Sequence, residues 1–448
     1  MVQEYDLPID GKVELSSGRK IQVRLRYNSQ KELILEVLEK DVPEFYEKEL
    51  KGSFNGFGKC SYNITFFNCR KSKAINSINI ETDSYISCQH LTEKQTDFFI
   101  NQNSLRKEIN FRILNFDSWL YPTLRNSKKS EVRFLDENRN KASKENKAKY
   151  VEILISNKTN SYNFNYKNHS FKLFIIDRFN GNQLKPSKIN FYQNCTLKIE
   201  CDKEISVCFF IEVIKIIKYL FSLLFNRTAK IQSIIENYLN YFISYNLIND
   251  EHEENEDFLS LYNIYYEDIK NDFGNILQNW FNMYDEYKFI IDSICRFEKI
   301  KTLSSSISEY AQLLETYGNI INKGACTRDD IKKAILEIKT ENFTKIFHTD
   351  SDEKDYYTIY FDVRKLSSDI TEQKKLVGEQ ISNLRNHAVH PYKNGRLKTP
   401  QDSNIHKTLM INNDINIEAT NILVICTFKI LKVLLFQKLN IDKFYTNY

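Results

Sequence analysis

Residues 20–27 read KIQVRLRY, and this alternation of apolar and polar side chains decides the fold of the first part of the chain. A period of two residues is typical of a β-strand that buries one face. Five glycines are interpreted as turn residues between such runs: Gly11, Gly52, Gly56, Gly58 and Gly181. The pattern predicts a mostly antiparallel β domain. The same alternation recurs in residues 78–80, 150–155, 171–175 and 197–201.

After residue 205 the apolar side chains recur at helical intervals. A chain of 448 residues also exceeds the size at which one hydrophobic core stops growing, so two domains are expected. The sequence therefore predicts an α+β protein, with a β-rich domain at 1–204 and an all-α helical-bundle domain at 205–448. The predicted helices lie at 206–247, 256–295, 304–322, 328–346, 363–389 and 415–438.

The composition indicates a globular chain and excludes few functions. A hydrophobic fraction of 42%, with 11 Gly and 6 Pro, argues against a disordered or fibrous protein. The net charge of +4 does not by itself indicate a nucleic-acid partner, so any site for a polyanion must arise from local clustering. The glycine-rich phosphate-binding motifs of common nucleotide sites are absent from the sequence.

The cysteines and the N-terminus favour a cytoplasmic location. The 9 Cys residues are odd in number and lack the CxxC pairs and Cys/His spacing of zinc sites, so reduced thiols and no metal or cofactor are expected. The acidic start of the chain differs from a secretory signal. Residues 207–225 are apolar, but Glu212, Lys215 and Lys218 interrupt them on one helical face, which predicts a buried amphipathic helix rather than a membrane span. No membrane partner is expected.

Residues 384–391 read LRNHAVHP and contain the polar cluster with the clearest chemical meaning. Asn386 and His390 are four residues apart, so they lie on nearly the same face of a helix, and Arg385 lies beside them. The apolar side chains before the cluster recur at helical spacing, which predicts that this helix packs on a core or a partner. Pro391 disfavours helical geometry at His390, so the helix is predicted to end there.

Such a cluster suits cleavage of RNA without a metal ion. The reaction needs a base for the ribose 2′-OH, an acid for the leaving 5′ oxygen and a cation for the charge that develops on the phosphoryl oxygens. An imidazole, with an ordinary pKa near 6.5, can transfer protons at neutral pH, and a guanidinium fork matches phosphate oxygens. Arg385, Asn386 and His390 are therefore the candidate catalytic residues.

The order Arg385, Asn386 and, four residues later, His390 resembles the motif of HEPN ribonucleases. The resemblance implies an endoribonuclease that leaves a 2′,3′-cyclic phosphate and a 5′-hydroxyl. It also implies a homodimer, in which two such helices meet and form one composite cleft. His387 occupies a variable position of that motif and is not assigned a catalytic role.

A second segment, residues 307–317, reads ISEYAQLLETY and looks like the "AQ-x-LE-x-Y" helix of ApeA-type HEPN domains. In that family the glutamate faces the active-site region. Glu315 is therefore a candidate for a supporting group that orients Arg385 or His390. The alternative is an ordinary solvent-exposed helix glutamate.

The first half of the chain also resembles the ApeA-type N-terminal domain, through the Lys51-Gly52 and Gly56-Phe57-Gly58 turns and the segment Asn115–Trp119. The resemblance implies a role in anti-phage defence by abortive infection, with an RNA substrate, tRNA among the candidates. It also implies a sensing or recognition role for the first domain, and a trigger or inhibitor of phage origin.

Two other interpretations remain open. The helical domain could be a non-catalytic HEPN binding or scaffold module in a defence or toxin–antitoxin complex. Such a module would be marked by loss of the arginine or the histidine, and both are present here. A purely structural interaction protein would make the match accidental and leave the polar cluster at a helix end unexplained.

Overall fold

The computed structural model divides the chain into two compact units, which are described separately. Unit 1 comprises residues 1–218, 229–258 and 265–267, and unit 2 comprises residues 219–228, 259–264 and 268–448. The predicted boundary between 204 and 205 falls inside unit 1. The structure describes residues 8–27, 33–39, 42, 46–55, 61–73, 78–82, 84–90, 104–114, 116–120, 133–135, 150–152, 159–185, 188–226, 228–238, 241–247, 264–295, 303–323, 329–347, 362–390, 392–393 and 396–442.

Unit 1 is built on one antiparallel sheet, as predicted. The strands are β1 Ile9–Glu14, β2 Lys20–Tyr27, β3 Leu33–Val37, β4 Tyr46–Asn55, β5 Ser61–Lys73, β6 Ile78–Glu81, β7 Ser84–His90, β8 Leu105–Ile113, β9 Arg133–Leu135, β10 Tyr150–Glu152, β11 Thr159–Tyr166, β12 His169–Lys185, β13 Lys188–Ser206, β14 Ile231–Tyr238 and β15 Tyr241–Leu247. In the large sheet they lie in the order β11-β12-β13-β8-β14-β15-β7-β5-β4-β1-β2-β3-β6. A separate pair, β9 and β10, forms a small sheet of its own.

Part of this sheet closes into a barrel. Strand β6 pairs with β3 and also with the end of β5, so β5, β4, β1, β2, β3 and β6 form a closed ring. The alternating residues of β2 supply its interior, because Ile21, Val23 and Leu25 are fully buried while the residues between them lie outward. The half-buried strand predicted for residues 20–27 is confirmed.

Three of the glycines interpreted as turn residues lie inside strands instead. Gly11 belongs to β1, Gly52 to β4 and Gly181 to β12. A Cβ at Gly11 or Gly52 would collide with the buried Phe54 ring, so these two glycines make room for that side chain in the barrel. Packing of one aromatic ring, rather than a turn conformation, explains their presence. Gly56, Gly58 and Asn115 lie outside the described residues.

The helix predicted at 206–247 is wrong in its second half. Helix α2 spans Val207–Phe225, after the short helix α1 at Phe116–Leu120, but β14 and β15 follow it and pair with β8 and β7. These two strands contain many β-branched and aromatic residues, which favour strands, but adjacent apolar residues such as Ile234-Ile235 and Phe242-Ile243 interrupt the period of two. The amphipathic reading of α2 is confirmed: Phe210, Val213 and Ile217 are buried and Lys215 is exposed.

Unit 2 is helical and packs around α5, Leu303–Asn322. Among the described residues its other helices are α4 Phe273–Cys295, α6 Asp329–Leu336, α7 Thr340–Phe347, α8 Ile370–Val389 and α9 Ile417–Lys438, and the short helix α3 Tyr266–Ile269 has its first two residues in unit 1. Helix α5 contacts α4, α6, α8 and α9. The single helix predicted at 328–346 is divided into α6 and α7, and the one predicted at 363–389 begins only at Ile370. Short 3-10 helices lie at Val363–Lys365, Gln401–Ser403 and Lys407–Leu409, and two small hairpins are formed by β16 Tyr392–Lys393 with β17 Arg396–Leu397 and by β18 Met410–Ile411 with β19 Asp414–Ile415.

Helix α9 is long and apolar enough, by length and composition, to cross a membrane. Within the protein, however, 78% of its most apolar 18-residue stretch is buried. Leu423, Ile430 and Leu434 are fully buried, and the helix contacts α4, α5 and α7. Helix α9 is therefore a central core helix of unit 2.

Gly318 allows α5 and α6 to approach closely. A Cβ at this position would lie 2.6 Å from the backbone carbonyl carbon of Asp330, where no side-chain rotation could relieve the clash. We expect Gly318→Ala to lower the free energy of unfolding by about 1–3 kcal/mol, measured by urea denaturation. Thr316→Ala is the matched control on the same helix, because its hydroxyl donates to the Gln312 carbonyl one turn earlier. Equal stability of the two variants would contradict close packing at Gly318.

Lys432 is a buried base inside unit 2. Its side chain is 7% exposed, its ammonium donates to the Asn226 side-chain oxygen, and it lies 4.4 Å from the centroid of the Phe428 ring. Burial, reinforced by the positive charge of Lys429, lowers the pKa of Lys432 to about 7, against a smaller opposing effect of Cys295. In the folded protein the neutral amine of Lys432 is therefore the favoured form above about pH 7.

The stability of the protein should consequently rise with pH just above neutrality. Between pH 7 and 10.5 the unfolded chain keeps a proton on Lys432 that the folded chain has released, so raising the pH favours folding. Relative to Lys432→Met, the wild-type free energy of unfolding should increase by up to about 1.4 kcal/mol per pH unit from pH 7 to 8.5, below the range where unfolded cysteines ionise. Lys438→Met, at the exposed end of α9, should keep the wild-type slope. An unchanged slope in Lys432→Met would refute the assignment.

Candidate active site

Helix α8 carries the predicted cluster. Its N-terminal cap and its buried face explain where the helix begins and how it packs. The Asp369 side chain caps the helix by accepting a hydrogen bond of 2.7 Å from the Glu372 backbone N–H. Val377, Ile381 and Leu384 are buried on one face, which packs toward α5 and α6. This face fixes the orientation of the last turn of the helix, where Arg385, Asn386 and His390 lie.

The helix ends at His390, as predicted. Val389 is its last residue, and His390 has φ −122° and ψ 71°, which is outside the helical region. Its backbone N–H still donates to the Asn386 carbonyl over 3.1 Å. The imidazole of His390 is thereby attached at the C-terminal end of α8, on an exposed residue. Pro391, on which the prediction rested, lies outside the described residues.

Arg385 forms an ion pair with Glu315 of helix α5. The Arg385 Nη1 donates to Glu315 Oε1 over 2.5 Å, and the two side chains are 28% and 12% exposed. A charge-assisted bond between two partly buried groups restricts the guanidinium to one position. Glu315 is therefore not an exposed helix glutamate; it contacts one of the two residues that the sequence pattern associated with it. The guanidinium has further N–H groups for a phosphate.

Asn386 and His390 have side chains available for binding. Within the part of the chain that the structure describes, neither side chain makes a hydrogen bond or an ion pair. Asn386 is half-buried and His390 is exposed. An amide and an imidazole separated by one helical turn can approach the same ligand, with the immobilised Arg385 guanidinium on the adjacent residue.

His387 is half-buried and hydrogen-bonded, whereas His390 is exposed. The His387 Nδ1 lies 3.1 Å from Ser403 Oγ, and burial together with the positive charge of Lys398 lowers the pKa of His387. A neutral, hydrogen-bonded imidazole joins α8 to the 3-10 helix Gln401–Ser403. This geometry is that of a packing residue, in keeping with the variable position that the motif assigns to it.

The segment after α8 folds back along the helix. Gln380 Oε1 accepts the His406 backbone N–H over 2.8 Å, and Asn383 Nδ2 donates to the Asn404 carbonyl over 2.9 Å. With the His387–Ser403 contact, three successive turns of α8 hold this segment. The described residues 396–407 of this segment, called the wall below, therefore lie along α8.

Basic residues in this wall were missed by the sequence analysis. Residues 385–407 contain five Lys or Arg and a single Asp, a local imbalance that the net charge of the chain conceals. Arg396 and Lys407 are exposed, and Lys398 lies close enough to affect the pKa of His387. Arg396 also pairs with Asp402 over 3.0 Å. A charge count over this one segment would have indicated a site for a polyanion.

The family model described as ApeA N-terminal domain 1 matches residues 8–280, which is more than half of the chain. The chain belongs to this ApeA family. The match covers the closed barrel, the rest of the sheet, α2 and the start of α4, so the predicted ApeA-type likeness of the first half is confirmed. Membership indicates an anti-phage defence protein. No curated protein and no solved structure matches the chain.

The ApeA match ends before the helices that carry the polar cluster. Glu315 and residues 385–390 lie beyond residue 280, so the HEPN assignment of the helical part stays a prediction. The ApeA match also continues through β14, β15 and α3, past the boundary at 204 predicted from the sequence.

Proposed function

We propose that this ApeA-type protein is a metal-independent HEPN endoribonuclease of anti-phage defence. The observation that supports it most directly is the end of α8. There Arg385 is held by Glu315 of a neighbouring helix, while Asn386 and His390 remain available to a ligand. A fixed guanidinium next to an accessible imidazole is the combination that phosphodiester cleavage through the ribose 2′-OH requires.

The proposed reaction is an internal transesterification. The ribose 2′ oxygen attacks the adjacent phosphorus as a base removes its proton, and the bond to the 5′ oxygen breaks as an acid protonates the leaving group. The products are a 2′,3′-cyclic phosphate and a 5′-hydroxyl. Arg385 stabilises the charge that develops on the phosphoryl oxygens, Asn386 orients the phosphate, and His390 transfers a proton. DNA lacks the attacking hydroxyl and is not a substrate.

We further propose that the active enzyme is a homodimer. One His390 supplies one proton-transfer group, whereas the reaction needs both a base and an acid, so a second copy would complete the site. Apolar side chains beside His390 support such an interface: Val389, Tyr392 and Leu397 are 49%, 65% and 64% exposed. Burial of these side chains between two copies would remove apolar surface from water.

The substrate is proposed to be RNA in the cytoplasm, with tRNA as a first candidate. Arg396, Lys398 and Lys407, in the wall along α8, would attract the phosphate backbone. The ApeA-type domain is proposed to sense infection or to position the substrate, and a phage-derived molecule is proposed to trigger or inhibit the nuclease. The proposed chemistry uses no cofactor.

The deciding experiment incubates the purified full-length protein with total RNA and with tRNA in the presence of EDTA, with single-stranded DNA of equal length as the control. We expect RNA fragments with 2′,3′-cyclic phosphate ends, intact DNA, and a dimer by light scattering. Binding of RNA without cleavage would favour a non-catalytic HEPN scaffold module. Cleavage of DNA, or 3′-hydroxyl ends, would refute the proposed chemistry.

A further inference from the structure

A hairpin in unit 1 brings a histidine next to a cysteine and an aspartate that are distant in sequence. Lys167 and Asn168, with φ of 45° and 64°, form the tight turn between β11 and β12, and His169 is the first residue after it. Strand β13 returns beside β12 with Phe171 opposite Cys201. Since side chains two apart share a face of a strand, His169 and Cys201 lie on the same face of the sheet.

The potential ligand atoms of this cluster are close to one another. Cys201 Sγ lies 3.9 Å from His169 Nδ1 and 3.4 Å from Asp202 Oδ1, and the ligand atoms of all three residues lie within 4.8 Å of one another. Zinc bonds of about 2.3 Å to sulfur and about 2.0–2.1 Å to nitrogen or oxygen place tetrahedral ligands roughly 3.5 Å apart. The distances from Cys201 Sγ to His169 Nδ1 and to Asp202 Oδ1 lie on either side of that value.

Neighbouring groups already orient the three side chains. The Ser170 backbone N–H donates to Asp202 Oδ1 over 3.2 Å, and the His169 ring lies 5.3 Å, centroid to centroid, from the ring of Phe209. Cys201 is 4% exposed, whereas Asp202 is exposed. A buried sulfur, an imidazole held by an aromatic ring and a carboxylate open to solvent leave one coordination position for water.

We propose that His169, Cys201 and Asp202 bind a zinc ion. Thiolate, imidazole and carboxylate together favour zinc over the harder cations magnesium and calcium, which prefer oxygen ligands alone. The ion would fasten the β11–β12 turn to the end of β13. The sequence contains no local zinc motif here, because His169 and Cys201 are 32 residues apart and meet only through strand pairing. The site belongs to unit 1 and takes no part in the proposed RNA chemistry.

The test uses the full-length protein after removal of metals with a chelator and dialysis. Isothermal calorimetry with zinc chloride should show tight binding of one zinc ion per chain. Binding of this ion should require Cys201. Cobalt(II), added as a spectroscopic substitute, should produce a sulfur-to-cobalt charge-transfer band and tetrahedral d–d bands. Cys201→Ala should abolish the charge-transfer band. Cys195→Ala is the matched control, because it removes another buried thiol from the same face of β13 and should leave the band intact.

Asp202 is exposed, so a substitution at this proposed ligand leaves the buried core undisturbed. Asp202→Asn preserves the shape of an exposed side chain, and it should weaken zinc binding by about tenfold or more while circular dichroism stays unchanged. A wild-type protein without a charge-transfer band would overturn the proposal. So would a band that persists in Cys201→Ala, or zinc affinity that is equal in Asp202→Asn and wild type.

Discussion

Replacing His390 with alanine is expected to reduce the rate of RNA cleavage by about 100-fold or more, because a positioned general acid or base contributes about 10²–10⁴ to such reactions. The variant should stay folded. His390 is exposed at the C-terminal end of α8, where truncation to alanine costs about 1 kcal/mol or less. The measurement is single-turnover cleavage of the RNA substrate, with the thermal unfolding of both proteins recorded alongside.

His387 provides the matched control three residues earlier. His387→Gln keeps a polar group near Ser403 Oγ and removes the only other imidazole of the segment 384–391. Cleavage should stay close to the wild-type rate, because His387 is half-buried and hydrogen-bonded, with a lowered pKa. If His387→Gln were as inactive as His390→Ala, the assignment of the proton-transfer group to His390 would be wrong.

Replacement of Arg385 by lysine should lower cleavage by about 100- to 1000-fold, as does loss of one preorganised donor to a developing oxyanion. Lysine keeps the charge and loses the planar fork, so it cannot bind Glu315 and a phosphate oxygen in the same geometry. RNA binding, measured by fluorescence anisotropy, should fall much less than the cleavage rate. A lysine variant with wild-type cleavage would show that the geometry of the guanidinium is irrelevant.

Variants of Glu315 distinguish two roles of its ion pair with Arg385: positioning of the guanidinium for cleavage, and stability of the fold. Glu315→Gln should lower the cleavage rate less than Arg385→Lys does, because the guanidinium remains but loses its charged partner. Glu315→Asp should recover part of the rate, since it restores the carboxylate. In the double variant Arg385→Ala/Glu315→Gln the partly buried charges are removed together, so stability should exceed that of Arg385→Ala while cleavage stays absent. A purely structural Glu315 would leave the rate per folded molecule unchanged in Glu315→Gln.

The strands that bury one face could be predicted, and the ones that hide their period could not. The alternation of β2 is visible because its outward residues are polar. The apolar residues of β14 and β15 do not alternate regularly with polar ones, and the pairing of these strands with β8 and β7 is what distinguishes them from a continuation of α2. The closure of the barrel depends on β6 meeting both β3 and β5, a non-local contact that no local pattern encodes.

The candidate active site shows the same division. The end of α8 at His390 could be predicted because Pro391 restricts its neighbour locally. The contact of Glu315 with Arg385 came from family resemblance, and 70 residues separate the two in the chain. The basic residues Arg396 and Lys398 are visible in a charge count over their segment, but their position along α8 depends on the contacts of the segment with Gln380 and Asn383.

Barrel closure has a consequence for how unit 1 behaves at high concentration. Among the described strands of the large sheet, β11 is the one with a single hydrogen-bonded neighbour, since β6 is paired on both sides. An unpaired strand edge is where foreign chains attach and ordered aggregates grow. The first five residues of β11 read TNSYN and are exposed except for the half-buried Tyr162, and the Asn and Ser residues among them disfavour addition of a further strand. The ring thus leaves this part of the molecule with little backbone on which misassembly could start.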